Sequence, residues 1–444
     1  MFHKALFISA HQVGDVNFYP AYKNLIKDQF QPYELLMENQ MCQLKSMISF
    51  AYNNVPYYNK LFKKLNLMPE DIKKLEDLEK LPILTKGIIR NNWEDFKPIN
   101  LHKMKSYHYT TSGSTGTPFK YRLSKFDRFL SGAMCYRGWR YGGYELGDKI
   151  VFLAGSSLGV GVKSSIITKA NEFLRNIKML SSYDMDHNNM NKYVGTINSL
   201  EPNFINGYAS SVYFLANYIK DNDLKIHPPS AIFVTAEKLF PIMRKTIQDV
   251  FSCEVFDGYG LNDGGVSAYE CEEHNGLHIN TERSIMEVVN DDGTQMIEGE
   301  GSILATSLYN YAMPFIRYDT GDNGYIIGDY CSCGRNHKLL KEVMGRQQEI
   351  LKTPEGKYIH GGFFSHIFWE IEGVKEFQII QKKLDTIVIN IVAKENFDED
   401  QLNLIKEIIR TKSKEWNIEF KYVDKINQTV AGKYKYVISE LVNL

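Results

Sequence analysis

The stretch TTSGSTGTPFKY, residues 110–121, strings small hydroxyl and glycine residues together behind the aromatic run Tyr107-His108-Tyr109. Glycine lets a backbone curl close to an anion, and successive N–H groups and hydroxyls can converge on one phosphate. The pattern is not the Walker loop, because no Gly-Lys-Ser/Thr follows four residues after the first glycine. Taken alone it also fits a solvated turn. A second chemical signal lies downstream, where YECEEHNGLH supplies Cys271, His274 and His278 and DYCSCGRNH supplies Cys331, Cys333 and His337. Cys-x-x-His and Cys-x-Cys, about sixty residues apart, can close a tetrahedral nitrogen–sulfur shell. The expected zinc ligands are Cys271, His274, Cys331 and Cys333, with His278 as the alternate. Four ligands leave no open position, so this metal would be structural.

Elements must position these groups. At 444 residues the chain is too long for one simple core, and two or three domains are expected. Lysine plus arginine number 52 against 53 acidic residues, which gives no electrostatic footprint for nucleic acid or anionic membrane. The longest apolar run, residues 150–162, is short and broken by glycines and serines, so no membrane span is expected. The first residues have no long apolar stretch of the secretory kind, so the cytoplasm is the default compartment, where six cysteines are thiols or metal ligands rather than disulfides.

Residues 33–54 place Leu36, Met41, Leu44, Ile48 and Ala51 on one helical face. LEDLEKLPILTK, residues 75–86, reads as a short helix that turns extended at Pro82. From residue 149, KIVFLAG, VKSSIITKANEFLRNI, NFINGYASSVYFLANYIKD, SAIFVTAEKL, PIMRKTIQDVF and EVFDGYG alternate strand and helix, which predicts a mostly parallel sheet covered by helices. After Gly265 the rhythm changes to strands around Asn290-Asp291-Asp292-Gly293, a hairpin signal. The tail, from about residue 350, reads as a small α+β unit. It has a hairpin at Pro354-Glu355-Gly356, a helix at FFSHIFWEI, two strands, a helix on Leu402, Ile405, Ile408 and Ile409, and a last strand at IEFKYVD.

An ordered set of short motifs runs through these elements: VTAEKL at 234–239, DGYGLNDGG at 257–265, IRYDTGD at 316–322, MGRQQEI at 344–350 and VAGKYKY at 430–436. With the loop at 110–121, this set resembles the adenylate-forming superfamily. PYYNKLF and LEKLPILTK are most similar to its phenylacetate–coenzyme A ligase and capsule-biosynthesis branch. The resemblance implies a large domain over residues 1–344 with mostly parallel sheets and a β-hairpin subdomain, a hinge at 345–349 and a mobile α+β lid over 350–444. It further implies that ATP, with Mg2+, activates a small carboxylic acid as an acyl-adenylate, and that the acyl group then passes to coenzyme A. An amine or sugar acceptor in surface-polysaccharide synthesis is the alternative, and a silent nucleotide-binding module is a third. A homodimer is the assembly guess.

By the same resemblance, Thr111, Ser112, Gly113, Ser114, Thr115 and Gly116 would wrap the β- and γ-phosphates. Ala236 and Glu237 would border adenine, and Tyr259, between Asp257 and Gly260, would lie on its ring. Asp322 would hold the ribose hydroxyls, Arg317 would contact phosphate or ribose, and Arg346 the ribose side. Asp263 would help hold Mg2+, and Lys433 would reach the α-phosphate and the carboxylate. The acyl pocket would be lined from segments near 129–140, 206–211 and 258–265, where Tyr136, Trp139 and Tyr208 are pocket or core. The sequence departs from the family pattern in four places. Asp263 stands where Glu is usual, Phe119 separates Pro118 from Lys120, Gln347-Gln348-Glu349 replaces an acidic hinge pair, and no proline precedes Gly432-Lys433.

Overall fold

The computed structural model describes residues 2–111, 119–155, 166–182, 185, 187–346, 350–356, 358–360, 363–364, 367–368, 371–427 and 434–441. The chain divides into two units, one formed by Met1–Leu239 with Arg244–Val343 and the other by Phe240–Met243 with Met344–Leu444.

The first unit opens with helices α1 (Phe2–Gly14), α2 (Phe18–Asp28), α3 (Tyr33–Asn54), α4 (Pro56–Lys64) and α5 (Lys86–Asn91). A hairpin of β1 (Ser106–Thr111) and β2 (Phe119–Ser124) follows, then α6 (Lys125–Arg140). The alternating segment then folds as expected into β3 (Ile150–Ala154), α7 (Ile166–Arg175), β4 (Ile177–Ser181), α8 (His187–Leu200), β5 (Phe204–Tyr208), α9 (Ala209–Asp221), β6 (Ala231–Thr235), α10 (Pro241–Phe251) and β7 (Glu254–Gly260). β8 (Ser267–Glu270), β9 (Leu277–Ile279), β10 (Ser284–Val289), β11 (Gly299–Ser307), β12 (Tyr318–Ile327) and β13 (Leu339–Arg346) complete one eleven-stranded sheet, ordered β10-β11-β12-β13-β9-β8-β7-β6-β5-β3-β4.

Strands β3 to β7 pair in parallel, and the change of rhythm after Gly265 is the switch to antiparallel pairing at β7–β8. The Asn290–Gly293 turn precedes β11, which pairs antiparallel with β10, as the hairpin signal predicted. Residues 75–80 form a 3-10 helix, and the extended run after it docks Leu84 beside Tyr318 at the start of β12. The amphipathic face of α3 buries Leu36, Leu44, Ile48 and Ala51, but Gln40 rather than Met41 is buried with them. Its amide donates to the carbonyls of Thr281 and Ser284 at 2.8 and 3.0 Å, which satisfies a polar group that an apolar face would otherwise leave bare.

The second unit holds the hairpin β14 (Ile350–Lys352) and β15 (Tyr358–His360), then β16 (Val374–Lys383), β17 (Thr386–Ala393), α11 (Gln401–Arg410), β18 (Asn417–Tyr422) and β19 (Val437–Ser439). Its sheet runs β18-β17-β16-β19, and α11 buries Ile405 and Ile409 in a core with Phe364, Phe377 and Trp416. The sequence reading ended at β18. β19 adds a parallel partner to β16 that is too short to show a period of its own.

Helix α1 is seated through a polar pin. His11 Nδ1 meets the Phe7 carbonyl at 2.9 Å and Nε2 meets the Tyr136 hydroxyl at 3.2 Å, while Arg175 donates to the same hydroxyl. The neutral ring fits these partners, with Nδ1–H donating to the carbonyl and Nε2 accepting from the phenol. Burial, aided by the Arg175 charge, lowers the His11 pKa to about 4. A depressed base stabilises the fold above its unfolded pKa of 6.5 and loses that contribution as pH falls toward 4. We therefore expect up to about 3 kcal/mol of stability to disappear over that window. Unfolding midpoints measured across it should fall more steeply for the native chain than for His11→Gln, and parallel curves would contradict the assignment.

Candidate active site

The DGYGLND and YDTGD motifs meet in space. The Tyr259 hydroxyl donates to Asp322 Oδ2 at 3.0 Å, and the Tyr318 hydroxyl donates to Asp263 Oδ2 at 2.8 Å. Along β12 side chains alternate, so Tyr318, Thr320 and Asp322 turn inward together. Burial first, then the partner carboxylate, holds both phenols well above the ordinary tyrosine pKa. They are donors throughout the neutral range. Asp322 is further fixed by its own N–H, which donates to Thr320 Oγ1 at 3.1 Å, and Thr320 Oγ1 donates to the Ile303 carbonyl at 2.8 Å.

Two charge pairs hold the surrounding loops. Arg283 binds both oxygens of Asp127 at 3.0 and 2.7 Å, and its third nitrogen donates to the Gly265 carbonyl at 3.1 Å. This couples α6 to the loop that carries Asp263, and Ser131 of α6 reaches Asn262 at 3.0 Å beside it. Arg244 meets both oxygens of Glu270 at 2.9 Å, and Glu270 accepts from the Asp257 N–H at 2.8 Å. Burial opposes the Glu270 charge, but His274 and Arg244 outweigh it and hold its pKa low. Asp257, buried beside Glu270, is pushed up to about 7, and its carboxyl accepts from the Gly258 N–H at 2.8 Å.

At the end of β6, Thr235 Oγ1 donates to the Gly258 carbonyl at 2.7 Å. Ala236 follows in the left-handed region, with φ of 69°. Non-glycine residues occupy that region at a cost and are enriched at functional sites. Glu237 accepts from the Ser210 N–H at 3.0 Å, in the first turn of α9, where a carboxylate complements the helix dipole. Ala236, Glu237, Tyr259, Gly260, Asp263 and Asp322 therefore lie at the ends of β6 and β7, in the loop beyond β7 and on β12.

Two expectations are corrected. Arg317 is not a cleft residue. Its guanidinium is buried and donates to Glu287 at 3.1 Å, to the Leu81 carbonyl at 3.0 Å and to the Gly293 carbonyl at 2.6 Å. Every nitrogen already has a partner within the protein, and the side chain is buried away from the surface. His274 is not with the cysteines either: its Nδ1 lies 3.2 Å from Glu270, and that hydrogen bond chiefly raises its pKa. The side chain gathered with Cys271, Cys331 and Cys333 is His278, and the four ligand atoms lie within 4.8 Å of one another. Burial depresses the His278 pKa to about 3, so the ring is neutral. Tyr136, Trp139 and Tyr208 are core: Trp139 stacks on Phe233 at 5.7 Å, Tyr136 carries the His11 pin, and Tyr208 is fully buried.

Ser112, Gly113, Ser114, Thr115, Gly116 and Lys433 lie outside the described residues. Thr111 ends β1 and Arg346 ends β13, but neither side chain is described. Sequence reasoning did not single out Tyr318, Arg283, Asp127 or Arg244. Tyr318 was within reach, because the period of two along IRYDTGD places it on the Asp322 face.

A family model, the CapK C-terminal domain, matches residues 351–440. Over 417 residues the chain is 27% identical to Protein CapK of Staphylococcus aureus, covering 91% of this chain and 90% of that one. Over 334 residues it is 26% identical to the phenylacetate–coenzyme A ligase of Thermus thermophilus, covering 72% of each. Among solved structures, a 2-hydroxyisobutyryl-CoA ligase in the postadenylation state matches with a TM-score of 0.73 at 18% identity, over 93% of this chain and 92% of that one. The anthranilate CoA ligase AuaEII, in complex with anthranoyl-AMP, matches at 0.54 and 16% identity, over 73% and 64%. These two likenesses establish a shared fold.

The Asp127–Arg283 pair gives this site a direct test. Asp127→Ala leaves a buried guanidinium without its anion, which should cost about 3–5 kcal/mol. Chemical unfolding should register that loss, and hydrogen exchange across residues 257–265 should quicken. An unchanged midpoint with unchanged exchange would contradict the coupling.

Proposed function

From the premise that the chain belongs to the adenylate-forming superfamily, in the branch of CapK and the phenylacetate–coenzyme A ligases, we propose that it is an AMP-forming acid ligase. A carboxylate oxygen attacks the α-phosphorus of ATP, the bond to the bridging oxygen breaks, and pyrophosphate leaves. The thiol of coenzyme A then attacks the acyl carbon, its proton goes to solvent or a base, and AMP leaves. The first step brings two anions together, so fixed donors and cations must offset their repulsion.

The convergence of Tyr259 and Asp322, 63 positions apart in sequence, supports this reading most strongly. In it, Tyr259 offers its ring to adenine while its hydroxyl orients Asp322, whose carboxylate accepts from the ribose hydroxyls. Ala236 and Glu237 border the base. Thr111 to Gly116 supply donors to the β- and γ-phosphates, Arg346 takes the ribose side, and Lys433 supplies the cation at the α-phosphate and carboxylate. Residues 345–349 serve as the hinge of the smaller unit. Asp263 fits a Mg2+ ion: it is a buried carboxylate, fixed through one oxygen by Tyr318, and one carboxylate with substrate phosphates suffices. The ion would neutralise phosphate charge.

An amine or a sugar in place of the thiol is the alternative acceptor that the capsule-biosynthesis resemblance implies. The match to CapK covers 91% of the chain, and the CapK C-terminal model covers residues 351–440.

Pyrophosphate exchange with a panel of carboxylic acids tests the reaction class. At least one acid should drive exchange, and silence with every acid despite ATP binding would leave only a nucleotide-binding module. AMP release measured beside it with coenzyme A, amines or no acceptor assigns the second step. Lys433→Ala should slow adenylation by about 100-fold or more while ATP affinity stays within about threefold, because the charge acts on the transition state. Equal loss of both would contradict that role.

A further inference from the structure

We propose that Cys271, His278, Cys331 and Cys333 bind one structural zinc ion, which fastens the β8–β9 turn to the segment after β12. The inference is independent of the ligase reading. Cys271 and Cys331 place their sulfurs 3.6 Å apart, and Cys333 Sγ lies 3.3 Å from His278 Nε2. A tetrahedral ion with Zn–S of about 2.3 Å and Zn–N of about 2.0–2.1 Å sets sulfurs about 3.8 Å apart and sulfur about 3.5 Å from nitrogen. A disulfide needs about 2.05 Å. The spacing is that of co-ligands.

The surroundings agree. His278 is fully buried, and its Nδ1 has no hydrogen-bond partner among the described residues, so a satisfied core histidine does not explain it. Three thiolates and a neutral imidazole around a divalent ion leave one net negative charge. Arg335 stands nearby: its Nη1 donates to both oxygens of Glu272 at 3.1 Å, and its largely buried guanidinium lies 4.1 Å over the Tyr141 ring. Soft sulfur with one imidazole selects zinc over magnesium or calcium. His278 sits on β9 opposite Leu339 of β13 and Tyr269 of β8, and Cys331 follows β12. The ion therefore fixes the far end of the strand that carries Asp322 and Tyr318. Four protein ligands leave no open position, so the ion takes no part in chemistry.

Elemental analysis of the full-length protein, purified without chelator, should find one zinc per chain. Cobalt exchanged into the wild-type protein should give thiolate–cobalt charge-transfer absorption and a tetrahedral visible band. His274→Ala should keep its zinc, whereas His278→Ala and Cys333→Ser should lose most of it and unfold at lower temperature. Three results would each overturn the proposal: wild-type protein with no stoichiometric metal and no cobalt–thiolate absorption, stoichiometric iron in place of zinc, or zinc loss in His274→Ala equal to that in His278→Ala. The wild-type analysis and the cobalt spectrum decide the matter even if a variant fails to fold.

Discussion

Two crossed phenol–carboxylate hydrogen bonds hold the candidate site together. Tyr259 of β7 donates to Asp322 of β12, and Tyr318 of β12 donates to Asp263 in the loop beyond β7. In the sheet, β7 and β12 are separated by β8, β9 and β13, so no backbone ladder joins them. Side chains alone bring the two motifs together. A hydrogen bond to a charged group is worth about 1.5–3 kcal/mol, and removing its donor leaves a buried carboxylate undersatisfied. The reciprocity also sets direction, because each motif supplies one donor and one acceptor.

Around this clasp the chain places charge where apolar packing would have been simpler. Asp127 with Arg283, Glu270 with Arg244 and Glu287 with Arg317 each combine a carboxylate and a guanidinium that also binds a backbone carbonyl or a second partner. Buried ion pairs add little net stability, and their attested use is to specify one arrangement. Two of the carbonyls they bind belong to turns at Gly265 and Gly293, both with positive φ. The pairs fix where the chain reverses, and the reversals fix where the strands end.

Much of the fold was legible. The strand–helix alternation from residue 149 pointed to the parallel half of the sheet, because its inner strands β5 and β6 are buried on both faces and show no alternation of their own. The motif order singled out Tyr259, Asp263 and Asp322, which the two phenol–carboxylate bonds hold in place. Arg317 was misread because a motif position says nothing about which way a side chain leaves a left-handed residue. His274 was misread because Cys-x-x-His spacing looks like a ligand pair, whereas strand pairing of β9 with β8 and β13 decides which histidine faces the sulfurs. β19 and the buried Gln40 had no local signal: both depend on partners far away in sequence.

The central claim is that the Asp322 carboxylate, oriented by Tyr259, is the nucleotide's ribose anchor. Calorimetric titration of ATP into Asp322→Asn and into the native chain tests it most directly, since asparagine keeps an acceptor for Tyr259 and removes only the charge. The account predicts affinity weaker by about tenfold or more with the unfolding midpoint little changed. Equal affinity in the two proteins would contradict it.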